Sequence, residues 1–167
     1  MVITDMYIKK LILSGLLISI YGYTFATNLP EGNYSNCFVM AGLHYNIPPN
    51  LLYVIAKVES KLNPYAFNTN YNGSYDIGIM QINSSWLPKL ARVGIQHKDL
   101  IDGCKNIQVG AWILSQNIKQ YGLTPEAIGR YNSANNYYKS QYIYKIFKEY
   151  NRQKNQNTLL STKKRPA

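Results

Sequence analysis

Glu59 is the residue of this 167-residue chain whose type and setting most clearly suggest chemistry. Stepping about 100° per residue along a helix over residues 50–62 places it in one stripe with Leu51, Leu52, Ile55, Val58 and Leu62. Lys57, Ser60 and Lys61 point away from that stripe. A carboxylate on an apolar face costs free energy unless it is paired or protonated. Desolvation raises its pKa above the ordinary value of about 4.3, the direction a general acid working near neutral pH requires. Among the other acids, Asp76 stands just before the run Gly78-Ile79-Met80-Gln81-Ile82-Asn83 and is either a second carboxylate within reach or a brace for its loop. Asp99, Asp102, Glu126 and Glu149 sit in polar settings and read as solvated charges. His44 and His97 have no metal-ligand spacing, and neither cysteine has a histidine at a useful spacing for a thiol nucleophile. No metal and no cofactor are expected.

The elements that must hold Glu59 read as helices. Residues 36–46 carry Phe38, Val39, Gly42, Leu43 and Tyr45 on an apolar side, and Ile47-Pro48-Pro49 separates them from the helix of Glu59. Proline in a first helical turn suits the start of that second helix, which ends before Asn63-Pro64. Residues 65–76 have the composition of a turn-rich loop or short hairpin, with Asn72-Gly73 as the sharpest turn signal. The apolar run 77–82 reads as a short strand-like segment, with Ile79 and Ile82 facing the core and alternate residues facing the other way. Residues 84–93 are a further helix candidate.

From Lys105 to Tyr121 the pattern is most regular: Ile107, Ala111, Leu114, Ile118 and Tyr121 share one face, and Gly122 stops it. Thr124-Pro125-Glu126 opens another helix with Thr as N-cap. Tyr142, Ile146, Phe147 and Tyr150 mark a last amphipathic helix. Five or six helices with little strand make a mainly α domain.

The N-terminus reads as an export signal over residues 1–26, with Lys9 and Lys10 before an uncharged apolar stretch and Ala26 as a small residue at the cleavage position. An uncleaved anchor is the alternative. A lead-in (27–35), a catalytic domain (36–150) and a basic, disordered tail (151–167) would follow. The chain carries a net charge of +10, much of it late, which suits an anionic polymer such as a bacterial cell wall or a membrane surface. Export disfavours nucleic acid as a partner. In an oxidising compartment Cys37 and Cys104 are expected to pair, closing a long loop worth on the order of 4 kcal/mol by chain entropy; two free buried thiols are the alternative.

Four pieces occur in order: Glu59-Ser60 followed by Asn63-Pro64-Tyr65-Ala66, then Gly78-Ile79-Met80-Gln81-Ile82-Asn83, then Gly110-Ala111-Trp112-Ile113-Leu114, then Arg130-Tyr131-Asn132. The set resembles the lysozyme-like lytic transglycosylases that cut peptidoglycan, and within them the small specialised members that accompany type III and type IV secretion, conjugation and pilus machines. The resemblance spans residues 36–150. It implies a lysozyme-like, goose-type fold and a single catalytic acid/base, Glu59. It further implies cleavage of the bond between N-acetylmuramic acid and N-acetylglucosamine with a 1,6-anhydro product, and a monomer working in the periplasm. It assigns substrate contacts to Gly78, Met80, Gln81, Asn83, Tyr131 and Asn132, with the tyrosine hydroxyl near the catalytic glutamate or the scissile sugar. Ser60 either hydrogen-bonds the site or faces solvent. The sequence departs from the family pattern at Arg130, where a small residue is common, and at Ala134, where glycine is common. A hydrolase in which water replaces the muramoyl hydroxyl, and a silent wall-binding subunit, are the rival readings.

Overall fold

The computed structural model describes residues 34–163, with side chains described through residue 156, so the expected export signal lies outside the described residues. Six α-helices and a small antiparallel sheet follow in the order α1 (Ser35–Tyr45), α2 (Pro49–Ser60), β1 (Phe67–Thr69), β2 (Tyr75–Ile77), β3 (Ile82–Asn83), α3 (Leu87–Ala91), α4 (Gly103–Tyr121), α5 (Pro125–Asn132) and α6 (Asn136–Lys163). Short 3-10 turns, Ser84–Trp86 and His97–Ile101, precede α3 and α4. The mainly helical architecture with one turn-rich hairpin is the expected class.

Local chemistry sets most of the boundaries. Asn46, in the left-handed region at φ 53°, ends α1, and Pro49 opens α2. Lys61 and Leu62 both adopt positive φ and turn the chain sharply away directly after Glu59 and Ser60. Asp102 caps α4 by accepting a hydrogen bond from the Lys105 amide at 2.8 Å, and Thr124 caps α5 through the Ala127 amide. Strands β1 and β2 form the expected hairpin, with Asn68 opposite Asp76 and Thr69 opposite Tyr75. The Asn72-Gly73 turn is closed by the Gly73 amide on the Asn70 carbonyl at 3.0 Å.

Helix α4 is the central element, packed on α1, α2 and α5, while α6 packs on α2 and α5. Phe38, Leu52, Ile55, Ile79, Met80, Ile82, Leu100, Ile107 and Leu114 are fully buried between these layers. Gly110 makes one contact possible: a Cβ there would stand 2.8 Å from the Met80 side chain, so a larger residue would push α4 off the loop before β3.

Four expectations need correction. Residues 78–81 form a tight turn, not a strand: Ile79 and Met80 are both buried, whereas a strand would turn one of them outward. Leu43 is exposed and Ala41 is buried instead, because the buried side of α1 runs through Phe38, Ala41 and Gly42, with Phe38 against Tyr53 and Gly42 against Pro49. Phe147 is also exposed, since the buried stripe of α6 runs through Lys139, Tyr142, Ile146 and Gln153. The basic tail expected from residue 151 continues α6 to Lys163. No glycine or proline interrupts the chain between Asn136 and Pro166, and Glu149–Arg152 forms an ion pair at 2.6 Å one turn apart on that helix.

Cys37 of α1 and Cys104 of α4 are disulfide-bonded, with Cα atoms 5.3 Å apart. Replacing both by serine should lower the melting temperature by on the order of 10 °C, from a loop-closure contribution of about 4 kcal/mol. Thermal unfolding followed by circular dichroism checks this, and an unchanged melt would show that the bridge contributes nothing to stability.

Candidate active site

A cleft of about 360 Å³ opens between the hairpin and the helical layers, lined by residues that include Glu59, Asp76, Gln81, Asn83, Trp86, Tyr131 and Asn132. Glu59 enters it from the last turn of α2. Burial pushes its carboxyl up to about 7; the Tyr142 hydrogen bond opposes this, the charge of Asp76 adds to it, and Lys145 opposes it weakly. The Tyr142 hydroxyl donates to Glu59 Oε1 at 2.6 Å. Burial and the nearby Glu59 hold the Tyr142 phenol well above its ordinary pKa, so it stays a donor. One carboxyl oxygen is therefore fixed, and the group near neutral pH is poised between acid and base.

The turn at residues 78–81 forms the wall beside Glu59, and three helices hold it. Ser60 Oγ of α2 donates to the Ile79 carbonyl at 2.8 Å. Tyr131 of α5 donates to the Met80 carbonyl at 2.8 Å. Asn106 of α4, fully buried, accepts from the Met80 amide at 2.8 Å and donates to the carbonyls of Ile77 (2.9 Å) and Leu100 (2.8 Å). Gly78 sits at φ +76° with its α-carbon against Asn106 and the Leu100 carbonyl, where a Cβ would stand 2.7 Å from that oxygen.

The predicted site residues thus divide into two groups. Glu59, Gln81, Asn83, Tyr131 and Asn132 meet in the cleft. Ser60, Gly78 and Met80 do not line it: they shape the turn from behind, and Met80 acts through its backbone because its thioether is buried against Gly110. Gln81, at φ 50°, donates to the Gly78 carbonyl at 2.9 Å and accepts from Asn68, so its amide braces the turn against the hairpin. Asn83 donates to Asp76 Oδ1 at 2.7 Å, and Asn70 donates to Asp76 Oδ2 at 3.0 Å. Asp76 is therefore a clamp between strands that also faces the cleft. The Asn132 side chain, which is exposed, makes no hydrogen bond to the described residues.

Tyr131, expected near the glutamate or the scissile sugar, lines the cleft and donates its hydroxyl to the Met80 carbonyl, and the hydroxyl that hydrogen-bonds Glu59 is that of Tyr142. Sequence reasoning saw Tyr142 only as one apolar mark of a helix, and it missed Asn106 and Trp86 altogether. Nothing local marks Asn106, whose partners lie up to 29 residues away. Tyr71, Tyr75, Tyr137 and Tyr138 lie outside the cleft lining, where Trp86 is the indole present. Arg130 occupies its unusual position by pairing with Glu126 at 2.6 Å and covering the Tyr121 ring at 4.5 Å. Among the described residues no group of three or more His, Cys, Asp or Glu side chains is placed to hold a metal ion.

Comparisons agree with this geometry. Residues 36–157 match the family model described as the transglycosylase SLT domain. The chain is 40% identical over 126 residues to invasion protein IagB of Salmonella typhi, covering 72% of this chain and 79% of that one. It is likewise 40% identical over 106 residues to protein IpgF of Shigella sonnei, covering 63% and 70%. Among solved structures, an inactive mutant of the lytic transglycosylase Slt from Pseudomonas aeruginosa shares the fold at a TM-score of 0.56 with 18% identity, over 69% of this chain and 23% of that larger one.

The raised pKa of Glu59 has two measurable signs. Its neutral form is favoured in the fold, so stability should be full below the ordinary carboxylate range and decline as pH rises through about 7; Glu59→Gln should flatten that decline in pH-dependent melts. Tyr142→Phe removes the bond that favours the ionised carboxylate, so the alkaline limb of the activity profile should move to higher pH while kcat falls roughly tenfold. A limb that moves to lower pH, or stays put, would contradict the role given to Tyr142.

Proposed function

The chain belongs to the transglycosylase SLT family and is a peptidoglycan-cleaving lytic transglycosylase, and we propose that Glu59 is its single catalytic acid/base. The observation that carries this reading is a carboxyl of the cleft raised to about 7 and oriented by Tyr142, with Asp76 tied up between Asn70 and Asn83.

In the reaction, the Glu59 proton passes to the glycosidic oxygen between the muramoyl and glucosaminyl residues as the C–O bond breaks. The Glu59 carboxylate then takes the proton of the muramoyl 6-hydroxyl as that oxygen bonds the anomeric carbon. Charge and protons balance, the acid is regenerated, and no water is consumed. Because nucleophile and electrophile belong to one sugar, positioning removes several kcal/mol from the barrier, on the order of 7 or more in well-oriented cases. Most glycosidases need a second carboxylate as base or nucleophile, and the substrate hydroxyl takes over that role here. Gln81, Asn83, Tyr131 and Asn132, which line the cleft with Glu59, contact the sugars in this reading.

The relative IagB is an invasion protein, which supports a specialised role for this chain. We infer that the enzyme acts as a monomer in the periplasm, after removal of residues 1–26, and opens the wall locally for a secretion or related envelope machine. The basic stretch after Arg152 serves recruitment there and is dispensable for cleavage.

Mass spectrometry of muropeptides released from purified peptidoglycan tests the chemistry. Products should end in anhydromuramoyl groups, one water lighter than hydrolysis products, and Glu59→Gln should release none while still cosedimenting with the wall. Reducing ends lost in the variant would make the enzyme a hydrolase on the same glutamate. Substantial activity of Glu59→Gln would move the acid elsewhere, to Asp76 first.

A further inference from the structure

Trp86 lines the cleft, and its ring meets that of Trp112 edge-on at 5.4 Å. Trp112 in turn lines a second hollow of about 280 Å³, together with Leu90, Val93, Ile95, Val109 and Lys89. An adjoining hollow shares Ile95 and Val109 and ends at the Lys105–Asp99 ion pair. An indole pair thus forms the corner between the cleft and an apolar trough. Over the corner stands the Lys89 ammonium, 5.3 Å from the Trp86 ring and 4.9 Å from the Trp112 ring. The two indole faces fix its position by cation–π attraction. Among the described residues no carboxylate pairs with it, whereas Asp99 holds Lys105 and Glu126 holds both Arg130 and Lys139.

A lone oriented cation at the mouth of an apolar trough is suited to a short chain with small apolar side groups and free carboxylates. The stem peptide, joined by an amide to the lactyl group of each muramoyl residue, has this chemistry. We propose that Lys89 and the trough behind Trp112 form a subsite for the stem peptide of the muramoyl residue bound beside Trp86 in the cleft. The inference rests on the glycan lying in that cleft, and it makes the enzyme selective for glycan that still carries its peptides. Lys89 is a specificity residue here, and the trough supplies the apolar contact for the alanine methyls.

The test uses the full chain carrying Glu59→Gln, so that binding is measured without cleavage. Two probes are compared by calorimetry: muramoyl-containing glycan oligomers with intact free-acid stems, and the same oligomers with the stem carboxylates amidated. The free-acid form should bind about three- to tenfold more tightly, the range for a charge-assisted contact at a partly open site. Adding Lys89→Met, which keeps the packing on the indoles, should erase the difference, and Lys89→Arg should retain it. Raised salt should narrow it. Val93→Asp, a change at an exposed trough position, should weaken binding of the free-acid form more than the amidated one. Equal binding of the two probes, an equal loss on both with Lys89→Met, or no binding of either overturns the proposal. Failure of the transglycosylase chemistry is read separately, from the products of the wild-type enzyme.

Discussion

The architecture of the site depends on one buried amide. Asn106 completes the pairing of a turn that closes itself only through the Gln81 amide on the Gly78 carbonyl at 3.1 Å: it accepts from the Met80 amide and donates to the carbonyls of Ile77 and Leu100. Left unpaired, each of those buried groups would cost about 1–3 kcal/mol. Because Asn106 stands on α4, the longest-packed helix of the core, satisfying the turn also fixes where it sits. Ser60 and Tyr131 then add one bond each from α2 and α5, so three helices converge on four residues. A loop held this way behaves as a wall of the cleft, and the side chains it leaves facing inward keep their positions without substrate.

Glu59 gains its character from the same convergence. The left-handed pair Lys61–Leu62 turns the chain away immediately after α2, which lets the turn and α6 close over the carboxyl from two sides. Burial then raises its pKa, and Tyr142 limits the rise by donating a hydrogen bond. These opposing effects leave a group able both to give and to accept a proton at one pH. Asp76 contributes its charge from a distance while its oxygens are held by Asn70 and Asn83. A single-carboxylate mechanism needs this asymmetry, with one acid free to transfer a proton and the other immobilised.

The two indoles give the cleft a direction. Around Glu59 the lining is largely polar and includes Asn132; beyond Trp86, across its contact with Trp112, the surface becomes apolar, and cationic at Lys89. A glycan with alternating residues, only one kind of which carries an acidic peptide, has a matching asymmetry. The overall basic charge adds attraction to an anionic wall but no register, since screened surface charge acts over about 10 Å without orientation.

The sequence by itself determined the helices, the hairpin, the disulfide pair and the identity of the buried acid. Each is written in short-range signals: 3.6-residue periodicity, proline and asparagine at helix ends, Asn-Gly at a turn, and a carboxylate out of place in an apolar stripe. Tertiary structure alone decided which polar groups serve that acid. Tyr142 lies 83 residues from Glu59 and reads locally as core. Asn106 looks like any polar residue early in a helix, and Met80 and Tyr131 meet across 51 residues. The run before β3 has the alternation of a strand, yet the demands of Asn106 and Gly110 fold it into a turn. Periodicity reports which face is buried; it carries no record of which distant partner will satisfy a hydrogen bond there, because that depends on how the helices cross.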